Sequence, residues 1–315
     1  MSMLKYFICP DGQQSEIATC LADGGCRLKK RCLTKSTLTS LGKQRKWAGI
    51  PSVTQLIRGT MEAFLLITED YAESPQESTF KLLGTTVHKN LEENEFGNSL
   101  AEGDLQYTTK DGISMRPDLL ETEDGWNILT DYKVSGSYKI AKAIGLYAVL
   151  EEDTKNQYKQ RTNITNPENG EQITRLKGDN KLVKVWKRDI RRQDCLDWIR
   201  QTNYYRLGIN EMGFDVDEMR VQALVRDGGL QIAQQRGLDE KIYMIPIPVL
   251  DDVAVRSYFV SKRTALLKAL DDVKCLQPCT DEESWDGRKC EQYCSVADKC
   301  ETGRIRRTKW MGEQA

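Results

Sequence analysis

The stretch Arg116–Lys133, RPDLLETEDGWNILTDYK, decides how the rest of the chain is read. Near its centre stands Asp124-Gly125, a dipeptide suited to a two-residue type I′ turn in which both central residues take positive φ. If Glu123 and Trp126 flank that turn, the register of a β-hairpin follows: Asp118 falls across from Asp131, and Arg116 across from Lys133. Side chains alternate along a strand, and directly opposed ones point the same way with Cβ atoms roughly 4.5–5.5 Å apart. Four charged groups are therefore expected on one face. Two opposed carboxylates repel unless a cation sits between them or water solvates both. Trp126, Ile128, Thr130 and Tyr132 take the other face, which is expected to be buried, leaving the acid face at the edge of a cleft.

A chain of 315 residues suits one large domain or two modest ones and can bury a sizeable core. Charged residues make up 30% of it and the net charge is −1, so any nucleic-acid surface has to be local. The start, MSMLKYFICP, has no apolar signal region, and nowhere do about 18 apolar residues run together. The expectation is a cytoplasmic protein with no membrane partner. Ten cysteines in a reducing compartment point to metal ligation rather than disulfides.

Residues 1–50 form a cysteine-rich module with Cys9, Cys20, Cys26 and Cys32 and little apolar periodicity of its own. Four thiolates around zinc make a closed tetrahedral site, and modules of this kind often fold only with their metal. The bland reading is a loop with scattered thiols. From Arg27 to Lys46 there are eight Lys or Arg residues and no acid, an asymmetry that favours phosphate contact over a plain solvated face.

The central part, residues 51–274, carries most of the regular structure. Pro51-Ser52 opens a helix through SVTQLIRGTMEAFLL with Ser52 as N-cap. After a polar linker, Glu69 to Glu77, a second helix over Ser78–Phe96 is expected to bury Phe80, Leu83, Val87 and Leu91 as one stripe. His88, the one histidine of the chain, lies beside that stripe; alone, such a residue is more often structural than a ligand. Beyond the hairpin come a short helix, Tyr138 to Leu150, and a polar insertion over 151–194. Lys155 to Arg192 holds eleven basic and four acidic residues with Tyr158 and Trp186 interleaved. That pattern suits an arm following a phosphate backbone, and equally a solvated surface insertion.

A helix from Cys195, stopped at Gly208, places Trp198, Gln201 and Tyr205 on one side. Strands at Met219–Val225 and Ile242–Val249 and a helix over Asp252–Leu270 complete an α-β-β-α-β order, hence an α/β or α+β domain. Residues 275–315 return to cysteine. Cys290-x3-Cys294-x5-Cys300 can face one centre from a turn and a half of helix plus a loop, with Cys279 closing the set around zinc or an iron-sulfur cluster.

In this order, Gly84-x3-His88, the RPD of Arg116–Asp118, the DYK of Asp131–Lys133, Gln201-x3-Tyr205 and three clustered cysteines resemble the PD-(D/E)XK nuclease superfamily. The similarity is to its RecB-like branch, which includes the iron-sulfur CRISPR-adaptation exonucleases and the AddB helicase-nuclease, and it spans roughly Ser52 to Cys300. It implies a restriction-endonuclease-like core, a mixed central sheet flanked by helices, with cysteine-rich metal modules at both ends. It also implies that His88, Asp118 and Asp131 hold Mg²⁺ or Mn²⁺, helped by the Tyr132 carbonyl, and that Lys133 orients or activates the attacking water. Gln201, Tyr205 and Arg116 would contact DNA.

Two departures from the family stand out. The second acid is Asp131, where glutamate is more frequent. The iron-sulfur members also take a cysteine from the helix resembling Ser52–Leu66, where this chain has Gly59-Thr60. The fourth ligand then comes from Cys279, leaving the N-terminal four cysteines to zinc; alternatively Cys26 or Cys32 completes a [4Fe-4S] cluster with Cys290, Cys294 and Cys300. The expected activity is a metal-dependent DNA nuclease, an exonuclease or single-strand-preferring enzyme of recombination, repair or phage replication. No GxxxxGK[ST] is present, so unwinding would need a helicase or recombination partner. The competing reading is a non-catalytic nucleic-acid-binding or scaffolding protein of the same fold.

Overall fold

A computed structural model describes residues 4–44, 47–94, 99–101 and 103–314. The end of the helix expected over Ser78–Phe96, and Arg45 and Lys46 of the basic run, lie outside the described residues. The fold is mixed α/β, and its largest sheet has five strands of mixed orientation. Chain contacts divide the molecule into two units, one of residues 1–120, 203–216 and 249–315, the other of residues 121–202 and 217–248. Among the described residues no helix is long and apolar enough to cross a membrane.

In the second unit the strand Glu218–Val225 lies between Ile242–Pro246, antiparallel to it, and Trp126–Ser135, parallel to it. Its alternation buries Met219, Val221, Ala223 and Val225. The turn before Trp126 is of the expected kind, with φ of 51° at Asp124 and 85° at Gly125. Thr122 Oγ1 donates to Asn127 Oδ1 at 2.8 Å, as the expected register requires. The expected division of the Trp126–Ser135 strand into a buried and a solvated face is wrong. Ile128, Leu129, Thr130 and Asp131 are all buried while Trp126 is 58% exposed, because the middle of the strand is covered on both sides and its start is not.

The expected helix over Tyr138–Leu150 is shorter, Ser137–Ala143. Gly145 ends it at φ +79°, and a Cβ there would lie 2.3 Å from the Asp189 carbonyl oxygen. Leu146 instead starts a long strand, Leu146–Gln157, that pairs antiparallel with Asn180–Arg188. The basic insertion is thus built on a two-stranded ribbon, with a further hairpin of Thr162–Thr165 and Gln172–Arg175.

In the first unit, Leu4–Ile8 pairs antiparallel with Gln14–Glu16 and parallel with Tyr71–Glu73. A small cluster of Phe7, Cys20, Leu38 and Leu41 is its local core. The single helix expected from Ser52 is two, Val53–Leu56 and Thr60–Thr68. Ser52 caps the first in a reciprocal capping box with Gln55, and Gly59 is the N-cap of the second. Both pack against the helix Asp252–Asp271, whose N-cap Asp251 accepts from the Ala254 N–H.

The apolar stripe expected on the next helix, Thr79–Glu92, is not buried: Phe80 and Leu83 are exposed, and Leu82 is the residue packed against the Phe7 cluster. The helix Leu196–Glu211 does not stop at Gly208. A Cβ on Gly208 would meet Met115 Sδ at 2.2 Å, so this glycine permits close packing, while the chain turns at Gly213 with φ +97°.

Candidate metal and nucleic-acid site

Strand alternation puts Asp131 and Lys133 on one face of Trp126–Ser135, two residues apart. Asp131 is 1% exposed. A carboxylate so buried needs a charged or hydrogen-bonding partner. Lys133 Nζ lies 2.6 Å from Asp131 Oδ2. Gln201, on the first part of the Leu196–Glu211 helix, engages both: its amide nitrogen donates to Asp131 Oδ1 at 3.3 Å, and its Oε1 accepts from Lys133 Nζ at 3.2 Å. Acid, ammonium and amide form a closed triangle within the second unit.

In the first unit, His88 on the Thr79–Glu92 helix meets Asp118, just before the strand Leu119–Glu123, with Nδ1 and Oδ1 3.1 Å apart. The Asp118 side chain is 9% exposed and that of His88 30%. With Nδ1 donating to the carboxylate, Nε2 presents its lone pair. The lone histidine is thus paired with the first acid of RPD. Arg116 and Tyr132 are half-buried. Tyr205 does not present its ring to solvent: it is 3% exposed, and Gln201 spends its amide on Asp131 and Lys133. Gln201 is likewise buried, at 7% exposed.

The C-terminal cysteines converge. Cys279, Cys290, Cys294 and Cys300 line one cavity of about 100 Å³, together with Met61, Glu62 and Leu65. Burial pushes the Cys279 thiol up to about 11 and the Cys294 thiol up to about 12. Cys290 is raised too, first by burial and then by Cys300. A Cβ built on Gly59 would lie 2.3 Å from Cys279 Sγ, so the sulfur occupies the space a side chain at 59 would need. Of the N-terminal set, Cys20 is buried and Cys32 packs against the same small cluster, and burial raises the Cys20 thiol first, the other three cysteines after it. Cys195 and Cys275 belong to neither set. Among the described residues no three His, Cys, Asp or Glu side chains are drawn to single-ion ligand spacing.

Sequence reasoning did not find Glu62, buried beside the C-terminal cysteines and paired with Lys289 and with Arg58 at 3.0 Å. Its signal was faint, an acid on an otherwise apolar helix turn. Another cavity of the first unit, about 500 Å³, is lined by Arg58, Glu62, Tyr71, Glu73, Trp285 and Lys289 among others, and by neither His88 nor Asp118.

No family model matches this chain, and no curated protein does. Among solved structures, the crystal structure of SSO0001 is similar at a TM-score of 0.40 and 15% identity, over 85% of this chain and 94% of that one.

Proposed function

We propose that the protein is a Mg²⁺- or Mn²⁺-dependent DNA nuclease of the PD-(D/E)XK type, and the observation that carries this reading is the buried Asp131–Lys133–Gln201 triangle. Its core would be restriction-endonuclease-like. A surface ion pair would be unremarkable, but a carboxylate and ammonium held together in a covered strand, with an amide fixing both, are a costly arrangement to build without a use. The family resemblance assigns the metal to Asp118, Asp131 and His88, and that oxygen-rich donor set would suit a hard dication. When bound, such an ion polarises a phosphate and lowers the pKa of its water. Lys133, held by Asp131 and Gln201, would donate to the attacking water or a phosphate oxygen. His88 orients the Asp118 carboxylate through Nδ1.

The donors also suit a [4Fe-4S] cluster at Cys279, Cys290, Cys294 and Cys300. The cavity that they line exceeds the roughly 30 Å³ share of one water, leaving room for more than a single ion. The cluster would be structural, tying the C-terminal helices to Thr60–Thr68. The ribbon of Leu146–Gln157 and Asn180–Arg188, with Lys155, Lys181, Lys184, Lys187 and Arg188 against Glu151, Glu152 and Asp153, would reach a DNA groove as a two-stranded arm.

The test is cleavage of end-labelled single- and double-stranded DNA by anaerobically purified protein with Mg²⁺, Mn²⁺ or EDTA, beside Asp131→Asn and Asp118→Asn. Metal-dependent cleavage that falls by at least about 10²-fold in both variants is expected. Undiminished cleavage by the variants would sink the proposal. DNA binding with no cleavage in any divalent metal would replace it with the scaffold reading.

A further inference from the structure

Cys9, Cys20, Cys26 and Cys32 sit on four separate pieces of chain that the N-terminal segment draws together. Cys9 follows the strand Leu4–Ile8 in a tight turn, where its N–H donates to the Gln13 carbonyl and its carbonyl accepts from Gly12, both at 2.8 Å. Cys20, buried, is on the short helix Ile17–Leu21. The chain then doubles back. Gly24 has φ +72°, and a Cβ on Gly25 would be 2.0 Å from the Thr19 carbonyl oxygen, so the loop lies directly on the helix and delivers Cys26 to its end.

Two tethers finish the arrangement. Arg27 pairs with Asp11 in the Cys9 turn, which holds the neighbouring Cys26 towards Cys9. Arg31 donates to the Ala22 carbonyl at 2.7 Å, at the end of the Cys20 helix, and the adjacent Cys32 packs against the cluster that contains Cys20. Among the described residues that cluster has four buried members, with Ile17, Leu21, Leu33 and Leu82 packed against it, a thin core for a segment of this size.

We propose that Cys9, Cys20, Cys26 and Cys32 bind one zinc ion as a structural four-thiolate site that folds the N-terminal segment. Four thiolates on a dication leave two negative charges. Arg27, which follows Cys26 in the chain and pairs with Asp11 in the Cys9 turn, and Arg31, which precedes Cys32 and binds the end of the Cys20 helix, offset them, which gives part of the basic run a local purpose. Drawing the sulfurs onto the ion belongs to the binding reaction, since modules of this kind fold with their metal. The site is separate from the proposed nuclease centre.

The experiment is elemental analysis of the full chain purified under reducing conditions, with Co²⁺ replacement read by visible absorption. One zinc per chain and the intense spectrum of tetrahedral thiolate-bound Co²⁺ are expected. Cys20→Ser and Cys32→Ser should lose at least nine-tenths of the zinc, Cys26→His should keep it with a shifted Co²⁺ spectrum, and Cys294→Ser should leave it unchanged. Should the serine variants fail to fold, alkylation of the wild type followed by mass spectrometry serves instead: Cys9, Cys20, Cys26 and Cys32 should be protected together until a chelator is added. Absence of zinc and of Co²⁺ uptake, disulfides among these four, or loss of iron in Cys26→Ser would each overturn the proposal. None of these readouts involves DNA, so the nuclease reading stands or falls apart from it.

Discussion

Cys279 Sγ fills the space that any side chain on residue 59 would occupy, with a Cβ at Gly59 reaching 2.3 Å from the sulfur. Gly59 has φ −58° and ψ 140°, which every residue adopts, so the glycine is there for room and not for backbone freedom. Gly59→Ala should therefore destabilise the protein by about 1–3 kcal/mol through overpacking and lower the iron content, both measurable by thermal melts and absorption. If the proposed cluster is present, the exchange Gly59→Cys with Cys279→Ala should keep it where Cys279→Ala alone should lose it. Equal iron loss in both proteins would refute the spatial equivalence.

Lys133→Met leaves Asp131 buried beside Gln201 with its ammonium gone. Breaking one side of a buried pair is costly, and about 3 kcal/mol of destabilisation is expected. The double variant Asp131→Asn, Lys133→Met should recover most of it, as a denaturant series would show. Additive losses would mean that the pair is not coupled.

Gln201 acts through its neighbours, touching both Asp131 and Lys133. Gln201→Ala should lower cleavage by about 10–100-fold and raise the Mg²⁺ concentration needed for half-activity. An unchanged metal requirement would assign Gln201 a packing role only.

Glu73 sets an acid limit on the first unit. Burial alone would raise its pKa, but the Lys81 ammonium and hydrogen bonds from Lys81, Ser295 and Ser78 outweigh burial and hold it below the ordinary value. Lys81 Nζ is 2.6 Å away and Ser295 Oγ 2.9 Å. A depressed folded pKa stabilises above the unfolded value of about 4.3, and that stability is lost as pH falls through the folded value. Wild type should lose stability in that acid window, and Glu73→Gln should be less stable near pH 7 with a flatter acid profile. Parallel profiles in acid titration melts would contradict this.

The ribbon of Leu146–Gln157 and Asn180–Arg188 exposes Lys181 and Lys184. Replacing both by Ala should weaken DNA binding at every sequence alike and reduce the slope of log K against log salt by about one to two. A fluorescence titration at several salt concentrations measures it. No change in slope would make the ribbon a solvated insertion.

Local chemistry made much of the fold legible. Asp124-Gly125 predicted its turn because few dipeptides accept two positive φ values. Ser52 and the Glu218–Val225 alternation declared themselves through capping and period-two patterning. The misreadings share a cause. Phe80 and Leu83 have helical spacing, yet burial depends on what lies opposite, and the Phe7 cluster takes Leu82. Gly208 and Leu146 obeyed packing and strand pairing, not their own propensities.

What the sequence determined by itself is the chemical inventory: which acids, lysine, histidine and thiols are present, and the turn and caps that local backbone energetics dictate. Only the tertiary structure decided their company. It buried Asp131 against Lys133 and Gln201, paired His88 with Asp118, and seated Cys279 in the space left by Gly59. Apart from the Asp131–Lys133 pair, those contacts join residues 30 to 220 positions apart, and their energies come from desolvation and close packing, which no short window of sequence contains.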